Sequence, residues 1–458
     1  MKAYILAGGK GTRLAPFNEY RNKAAVPVGN LPLAKRTALA LLSVGVSEVV
    51  IAGSYRMQEL ERAFFDMPAV SVLITGDTAG NDRTLAEALA KHPPTGDYVV
   101  LFGDCLYDSA ELSKLLKTHR ENPKAATALL SPSLSAKESM EYITAAAENG
   151  RLTGLYGHEI GEGRRLLEAF VATPELTPYL TRCSGLYLNP GIGGMPPKES
   201  FLETGLSFAL QNGVEIGAIL GESPFIDIDK PWNVMEACFL TVERETEALT
   251  QDELAEGASI DETAQRKGFV RLGKNSRIGR NVVINGNIIV GDNTIIDNGA
   301  ILDGPMIIGN NVIMENYCYV AGGSTIGHDT RVLHAAEFEG VLFDGAYLYH
   351  YMEIEGLIGT CVDIGASSVC GTLRFDNGDS RHRVRGRLET PRNFANGTYI
   401  GDYTRTGVNC TFYPGVTIGC NCAIGPGVVV TDDIPSGQLV LLKQELEFRP
   451  WGPERYGW

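Results

Sequence analysis

The second half of the chain carries a hydrophobic pattern with a period of six residues. From Leu272 to Val332 an apolar residue occupies every sixth position, and glycine often follows it, as in Ile278-Gly279. This period is typical of a parallel β-helix, in which three six-residue repeats form one triangular coil and the apolar side chains stack inward. Glycine, asparagine and aspartate are expected at the corners, where positive φ is needed. The inward positions are Leu272, Ile278, Ile284, Val290, Ile296, Leu302, Ile308, Met314, Val320, Ile326 and Val332.

The first half of the chain shows a different pattern, in which short apolar runs alternate with amphipathic stretches. Strands are predicted at residues 3–7, 49–52, 70–74 and 98–102, with helices between them. Alternating strands and helices imply a Rossmann-like α/β domain, with a mainly parallel sheet and helices on both faces. In such a domain the ligands bind beyond the carboxyl ends of the strands.

The two patterns divide the chain into four segments. We expect an α/β domain over residues 1–235, a helical and acidic linker over 236–266, the β-helix over 267–440, and a tail over 441–458. Within the β-helix the repeat fades around Asp344, resumes at Ile358 and Ile364, and is interrupted by an insert at 371–397. The tail contains Trp451 and Trp458, so we expect it to be docked on the protein.

Composition narrows the possible functions. The 458 residues are 44% hydrophobic and 21% charged, as in an ordinary globular protein. A formal net charge of −15 argues against non-specific binding to nucleic acid, which needs a basic surface. No apolar run approaches a membrane span or a signal peptide, and the nine cysteines lack a CxxC spacing. We therefore expect a cytoplasmic protein with reduced thiols and no membrane partner.

The candidate chemistry begins in a glycine-rich loop directly after the first predicted strand. Glycines remove the Cβ atoms that would keep a ligand off the backbone, so peptide N–H groups can point at phosphate oxygens. Lys10 and Arg13 add positive charge, and an arginine can hold two phosphate oxygens at once. The loop has neither the third glycine of a dinucleotide fingerprint nor the Gly-Lys-Ser/Thr of a P-loop. The residues expected to bind a nucleotide are Leu6, Ala7, Gly8, Gly9, Lys10, Gly11, Thr12 and Arg13.

Together with Lys23 and the following Val26-Pro27-Val28, this loop resembles the signature of sugar-1-phosphate nucleotidylyltransferases. Their signature is GGxGTRL, then a lysine that prolines often flank, then PV; here the lysine lies in RNKAAVP, similar to the form in ADP-glucose pyrophosphorylases. The resemblance implies that the substrates are a nucleoside triphosphate and a sugar 1-phosphate. UTP or dTTP is favoured because these are the usual nucleotides of the family. The resemblance also implies that Arg13 holds the leaving pyrophosphate and that Lys23 holds the sugar phosphate and the α-phosphate.

The same resemblance implies a magnesium site. Asp104 follows a predicted strand as the family's strand-end Gly-Asp does, and Asp227 lies in a segment similar to the family's WxDxGTPxxL. Two carboxylates from separate strand ends suit Mg²⁺, a hard ion that prefers oxygen ligands. Asp229, just before Lys230-Pro231, is expected instead to cap the helix that begins near Trp232.

The part of the signature that contacts the sugar matches less well. Thr84 lies where the family has Leu-Gly-Thr-Ala, and Gly185 lies in a Ser-Gly-Leu-Tyr run that resembles Asn-Ala-Gly-x-Tyr. The family's Glu-Lys-Pro is replaced by Gly157-His158-Glu159. The resemblance therefore implies that Thr84 binds the nucleotide and that Gly185 binds the sugar. The sugar itself can be an unusual one.

Over nearly its whole length, the chain resembles the archaeal-type bifunctional N-acetylglucosamine-1-phosphate uridylyltransferase/glucosamine-1-phosphate acetyltransferases. That resemblance implies a left-handed β-helix, a homotrimer, and acetyl transfer from acetyl-coenzyme A with His350 as the base. This sequence departs from the family at Tyr351-Met352-Glu353 after the histidine and at Thr372, where an asparagine is expected. A purely architectural β-helix and a non-catalytic nucleotide-sugar sensor remain as alternatives.

Four arginines alternate along the insert, at Arg381, Arg383, Arg385 and Arg387. On a single strand this spacing places all four guanidinium groups on one face. They could bind coenzyme A phosphates or pair with acidic groups of a neighbouring subunit, and the net charge favours the second alternative.

Overall fold

The computed structural model describes residues 1–76, 80–134, 142–156, 163–183 and 200–452. It confirms an α/β domain followed by a long run of parallel strands in coils. The strands of the α/β sheet are β1 (Lys2–Leu6), β2 (Glu48–Gly53), β3 (Val70–Ile74), β4 (Tyr98–Phe102), β5 (Ala126–Leu134), β6 (Thr144–Glu148), β7 (Arg151–Tyr156), β8 (Gly163–Ala172) and β9 (Ile216–Leu220). The helices are α1 (Leu33–Ser43), α2 (Gln58–Phe64), α3 (Asn81–Lys91), α4 (Ser109–Glu121), α5 (Thr177–Leu180), α6 (Leu202–Gln211) and α7 (Pro231–Glu247).

The α/β domain is built on one nine-stranded sheet, in the order β3-β2-β1-β4-β8-β5-β9-β7-β6. Strands β3, β2, β1 and β4 are parallel, whereas β8 runs antiparallel to both β4 and β5. Apolar clusters cover both faces of the sheet, as a parallel sheet requires. Leu6 of β1 pairs with Phe102 of β4, so the glycine-rich loop and Asp104 leave neighbouring strands at the same edge.

The β-helix has three faces, and each face is a ladder of short parallel strands. The first face contains Glu253–Leu254, Val270–Leu272, Ile288–Val290, Met306–Ile308, Thr325–Ile326, Thr398–Ile400 and Thr417–Ile418. The second contains Ser259–Ile260, Arg277–Ile278, Ile295–Ile296, Ile313–Glu315, Arg331–Leu333, Tyr347–Tyr349, Asp363–Ile364, Arg405–Thr406, Ala423–Ile424 and Leu439–Val440. The third contains Gln265–Arg266, Val283–Ile284, Ile301–Asp303, Tyr319–Ala321, Val369–Cys370, Thr411–Phe412 and Val429–Val430, and two longer strands, Glu337–Leu342 and Glu353–Ile358, continue from the third face onto the first.

All eleven inward positions of the six-residue pattern are buried and stack between coils, which confirms the core predicted from the sequence. Ile278, for example, lies beneath Ile296, which lies beneath Met314. The corners take positive φ, with Asn275 at 56° and Asn293 at 54°, because asparagine tolerates the left-handed region better than most residues.

The fading of the repeat near Asp344 has a local cause. The two longer strands pass straight through a corner, where Gly340 and Gly356 have φ of 128° and 139°. Buried Phe338 and Leu342 are therefore four residues apart instead of six, while the core continues without a gap. The period changed in the sequence, but the coil did not end.

The β-helix begins earlier than the predicted boundary at residue 267. Glu253–Leu254, in the expected linker, already pairs in parallel with the strand Val270–Leu272. The six-residue period is interrupted here by Arg266, which lies in register with Ile284, and most residues of this first coil are exposed. At the other end the described part of the tail, residues 441–452, is largely exposed, with the Trp451 side chain 71% exposed; Trp458 lies outside the described residues, and the docking of the tail stays a prediction.

The insert forms a hairpin rather than one long strand. His382–Val384 pairs antiparallel with Arg387–Glu389, and the chain reverses at Arg385 and Gly386, both of which have positive φ. The four arginines are all exposed, but they are divided between two strands and a turn, so the single arginine face predicted from the alternation is wrong.

A fourth apolar cluster joins the two domains. It contains Phe17 of the N-terminal segment and Trp232 of α7, together with Phe343, Leu357 and Tyr399 of the β-helix. The α/β domain and α7 therefore cover the first face of the β-helix. Among the residues that the structure describes, no helix is long and apolar enough to cross a membrane.

Candidate active site

A short two-stranded ladder brings the predicted metal ligands together. Beyond β4, Cys105–Leu106 pairs antiparallel with Ile226–Asp227, and the N–H of Ile228 donates to the carbonyl of Asp104 at 2.9 Å. The carboxylates of Asp104, Asp227 and Asp229 consequently offer oxygen atoms that all lie within 4.8 Å of one another. Asp104 and Asp227 are thus placed side by side, as the sequence analysis expected, and a third carboxylate joins them.

Lys23 lies among these three carboxylates. Its Nζ is 2.7 Å from Asp104 Oδ2, 2.6 Å from Asp229 Oδ1 and 3.5 Å from Asp227 Oδ1, and its side chain is only 8% exposed. A short 3₁₀ turn, Lys23–Ala25, holds the lysine, with the Asn22 side chain accepting from the N–H of Ala24. A buried ammonium is tolerated here because it is fully compensated.

The charges of the cluster shift its pKa values in opposite directions. Burial alone would lower the pKa of Lys23, but the three carboxylates outweigh it and raise that pKa well above its usual value. Burial raises the pKa of Asp104, which Lys23 opposes and the Asp227 charge reinforces. Burial would also raise the pKa of Asp227, yet Lys23, Arg165 and Arg13 together lower it. Lys23 therefore stays an ammonium, and Asp227 stays a carboxylate.

Asp229 belongs to this cluster and does not cap α7. Its Oδ2 is 2.7 Å from Arg13 Nη2, and Arg13, whose side chain is half exposed, reaches it from the glycine-rich loop. The helix N-terminus is satisfied instead by the side chain of Asn233, which accepts from the N–H groups of Asp229 and Lys230. The prediction that Asp229 is a cap was wrong because that capping position was filled from within the helix.

The sequence analysis missed two charged residues of the site, Arg165 and Glu168 on β8. Arg165 donates to Asp227 Oδ2 at 3.0 Å, and its guanidinium stacks on the rings of Tyr142 and Phe225 at 3.6 Å and 4.8 Å. Glu168, with φ of 55°, lies where the register between β8 and β5 shifts.

The environment of Glu168 makes it a carboxylic acid that is hard to ionise. Burial raises its pKa well above the usual value, the Asp227 charge adds to this, and Arg165 only partly offsets it. Cys105 donates its thiol to Glu168 Oε2 at 3.3 Å. The signal that could have found Glu168 was a lone acid inside the apolar run Leu166–Val171, written LLEAFV, which a purely structural strand would not contain.

The glycine-rich loop packs closely against the predicted partners. A Cβ on Gly8 would lie 3.3 Å from Thr84 Oγ1, and one on Gly11, whose φ is 59°, would lie 3.2 Å from Lys23 Cβ. Among the described residues, none has an atom within 4 Å of such a position on Gly9. Thr84 is thus beside the loop, as expected, whereas Gly185 and the 157–159 run lie outside the described residues.

His350 is far from this cluster in the fold, at the corner between the second and third faces of the β-helix. Its exposed ring stacks on His334 of the preceding coil, with centroids 4.3 Å apart and an angle of 3° between the planes. Both histidines have positive φ, at 61° and 53°. Nδ1 of His334 is buried and has no hydrogen-bond partner in the part of the chain that the structure describes. The structure therefore places His350 on an accessible corner beside a second imidazole.

Comparisons with known proteins agree with the two-part architecture. Residues 2–151 match the family model described as nucleotidyl transferase, and residues 397–432 match bacterial transferase hexapeptide repeats. A "bifunctional sugar-1-phosphate nucleotidylyltransferase/acetyltransferase" of Sulfurisphaera tokodaii is 25% identical over 96% of this chain and 99% of its own length. The "bifunctional protein GlmU" of Methanococcus aeolicus is 24% identical over 97% and 98%. The solved inositol-1-phosphate CTP transferase of T. maritima is 16% identical, covering 51% of this chain and 90% of its own, with a TM-score of 0.42.

The two family-model matches confirm the predicted nucleotidyl transferase domain and the predicted hexapeptide repeats. The chain is therefore an enzyme with an N-terminal nucleotidyl transferase domain and C-terminal hexapeptide repeats, and the name of the Sulfurisphaera tokodaii relative includes both a nucleotidylyltransferase and an acetyltransferase.

Proposed function

We propose that this chain joins a nucleoside triphosphate to a sugar 1-phosphate and releases pyrophosphate, with UTP or dTTP as the favoured nucleotide. The observation that carries the proposal is the position of Lys23, which is held among three carboxylates at the edge where the glycine-rich loop begins. Names of relatives that include sugar-1-phosphate nucleotidylyltransferase support the same reaction.

In this reaction an oxygen of the sugar phosphate attacks the α-phosphorus, and the bond to the pyrophosphate oxygen breaks on the opposite side. Little covalent chemistry is left for the protein, so positioning and charge must supply the rate. Lys23 is fixed and permanently charged, which suits it to hold the α-phosphate and the incoming phosphate. Arg13 contacts Asp229 through Nη2 and is half exposed, and a guanidinium has five N–H donors, so Arg13 can also hold the departing pyrophosphate.

The three carboxylates fit a magnesium ion. Asp104, Asp227 and Asp229 offer oxygen ligands only, at separations that one cation can span. When bound, Mg²⁺ neutralises phosphate charge and helps to orient the reacting groups. We propose Asp104 and Asp227 as its ligands, with Asp229 as an additional one that the sequence alone did not suggest.

A pyrophosphate-release assay tests this function. Purified protein is incubated with Mg²⁺, each common nucleoside triphosphate and a panel of sugar 1-phosphates. Release that requires both substrates is the expected result. Nucleotide binding without release for any pair would favour the non-catalytic nucleotide-sugar sensor.

The stacked histidines favour a second candidate activity, acetyl transfer from acetyl-coenzyme A to an amino sugar phosphate. An imidazole titrates near neutral pH and can take the proton from an attacking amine, and His350 is exposed at its corner. The adjacent His334 can hold this ring in a fixed orientation through the stacking of the two imidazoles.

For this second activity we expect His350→Ala to lower acetyl-coenzyme A turnover with glucosamine 1-phosphate by about 10²–10⁴-fold. The matched control is His328→Ala, since His328 is also a β-helix histidine but only accepts the N–H of Asn310. Turnover that survives His350→Ala would exclude His350 as the base. Absence of turnover with any amine in the wild type would leave the β-helix as a scaffold.

We also propose that the chain forms a homotrimer through the β-helix. On the third face Glu337 lies beside Glu353, and Glu339 lies beside Glu355, and burial together with these like charges raises the pKa of Glu355 to about 7. The exposed arginine hairpin of a neighbouring copy would relieve this repulsion. Light scattering is expected to give three times the chain mass at micromolar concentration, and a monomer mass would contradict the proposal.

A further inference from the structure

We infer that the β-helix positions Lys23 for nucleotidyl transfer through a buried ion pair between Arg21 and Asp402. The inference rests on the proposed function, because it assigns a role in that reaction to a domain that does not carry the reacting groups. Arg21 and Asp402 are positioning residues in this account, since they act through Lys23.

The segment between Arg13 and Lys23 lies directly on the β-helix. Residues 15–22 leave the glycine-rich loop and return to the site, and on the way they cross the last coils. Three polar contacts join them to those coils: Cys420 Sγ donates to the carbonyl of Pro16 at 3.4 Å, Ser436 Oγ donates to Glu19 Oε1 at 2.6 Å, and Asn421 Nδ2 donates to the Tyr20 hydroxyl at 2.5 Å.

A buried ion pair between Arg21 and Asp402 adds to these contacts. The Arg21 side chain is 8% exposed and that of Asp402 is 0% exposed, with Nη2 at 2.9 Å from Oδ1. The same Nη2 donates to Thr360 Oγ1, and the N–H of Thr360 donates to Asp402 Oδ1. The guanidinium also lies over the Phe343 ring, 4.9 Å from its centroid. The other amino group, Nη1, donates to the carbonyl of Phe17, and together these contacts fix the orientation of the guanidinium.

A single residue, Asn22, separates Arg21 of this pair from Lys23. Asn22, next to Arg21, donates to the carbonyls of Ala7 at 2.8 Å and Tyr55 at 2.6 Å. Lys23 follows at once. The lysine is thus fixed from both sides, because Arg21 attaches its backbone to the β-helix and Asn22 attaches it to the end of β1. Releasing Arg21 would remove one of the two constraints.

The test uses the full-length chain and three variants. Asp402→Asn removes the charge that compensates Arg21 and keeps the side-chain shape. The double variant Arg21→Met/Asp402→Leu replaces the pair by apolar groups, which often preserves stability. Glu245→Gln is the matched control, because the pair of Glu245 with Arg36 joins α7 to α1 and does not touch residues 15–23.

We expect Asp402→Asn to lower kcat for pyrophosphate release by about 10²-fold, the cost of a small misplacement in a phosphoryl-transfer site, with KM changed much less. The assay is run well below the melting temperature of each variant, so loss of folded protein does not contribute. The double variant is expected to recover the melting temperature but not kcat. Glu245→Gln is expected to keep the wild-type kcat.

Hydrogen exchange provides a readout that does not depend on turnover. In Asp402→Asn the amides of residues 15–23 are expected to exchange at least about tenfold faster, with the rest of the α/β sheet unchanged. A wild-type kcat in Asp402→Asn, or recovery of kcat in the double variant, would overturn the inference. If the wild type released no pyrophosphate, the proposed function would fail, and unchanged exchange in residues 15–23 would separately overturn the positioning role.

Discussion

Replacing Asp104 or Asp227 by asparagine is expected to abolish nucleotidyl transfer while the fold remains intact. Both carboxylates contact the Lys23 ammonium and belong to the only all-carboxylate cluster found among the described residues. Loss of one charge contact at a phosphoryl-transfer site removes several kcal/mol of transition-state stabilisation, so the rate should fall by about 10³-fold or more. The measurement is pyrophosphate release at saturating substrates.

The control for this pair is Asp108→Asn. Asp108 lies close in sequence and caps α4 by accepting the N–H of Ala110, a role that asparagine also fills. Circular dichroism and melting curves should be similar for all three variants. Turnover near the wild-type rate in either site variant would remove that residue from the proposed site. We expect Asp229→Asn to be impaired as well, because Asp229 holds both Lys23 and Arg13.

Replacing Lys23 by methionine is expected to lower kcat/KM by about 10³-fold. The ammonium lies within 3.5 Å of all three carboxylates, and methionine keeps an unbranched side chain without a donor. Asp227 would retain Arg165 and Asp229 would retain Arg13, whereas Asp104 would lose its ion pair. The decrease in kcat/KM therefore reflects both the lost contact with the phosphates and the loss of the ion pair that orients the Asp104 carboxylate.

Steady-state kinetics with both substrates varied measures this effect. The control is Lys35→Met on α1, whose ammonium donates to the carbonyl of Ala63 away from the cluster. A Lys23→Met enzyme whose kcat/KM is within about tenfold of the wild-type value would show that the lysine only stabilises the fold. Melting curves would then measure its contribution to stability.

The fold of the β-helix could be predicted from the local sequence pattern because every repeat must satisfy the same pattern. A six-residue period places Ile278, Ile296 and Met314 on one inward column whatever the rest of the chain does. The glycine-rich loop could also be recognised from the sequence, since its close contact with Lys23 requires a glycine at the position of Gly11. A position that permits only one residue type can be recognised from the sequence alone.

Site residues that depend on contacts between distant segments were harder to predict. Asp229 seemed to be a helix cap because its neighbours in sequence form a helix start, and only the position of Arg13 shows its other role. Glu168 reaches the cluster through a shift in strand register, which no period of hydrophobic residues encodes. In both cases a side chain takes its role from a partner more than fifty residues away.

By itself the sequence determined the two architectures, their order, the inward column of the β-helix and the loop with Lys23, Asp104 and Asp227. Tertiary structure alone decided that Asp229, Arg165 and Glu168 complete the cluster, and that Arg21 ties the loop to Asp402 across the domain boundary. The physical reason is the distance along the chain over which each kind of interaction acts. Periodicity and backbone strain are local and leave a mark on neighbouring residues, whereas a buried ion pair needs only one suitable residue at each of two distant points, and such a pair leaves no pattern along the chain.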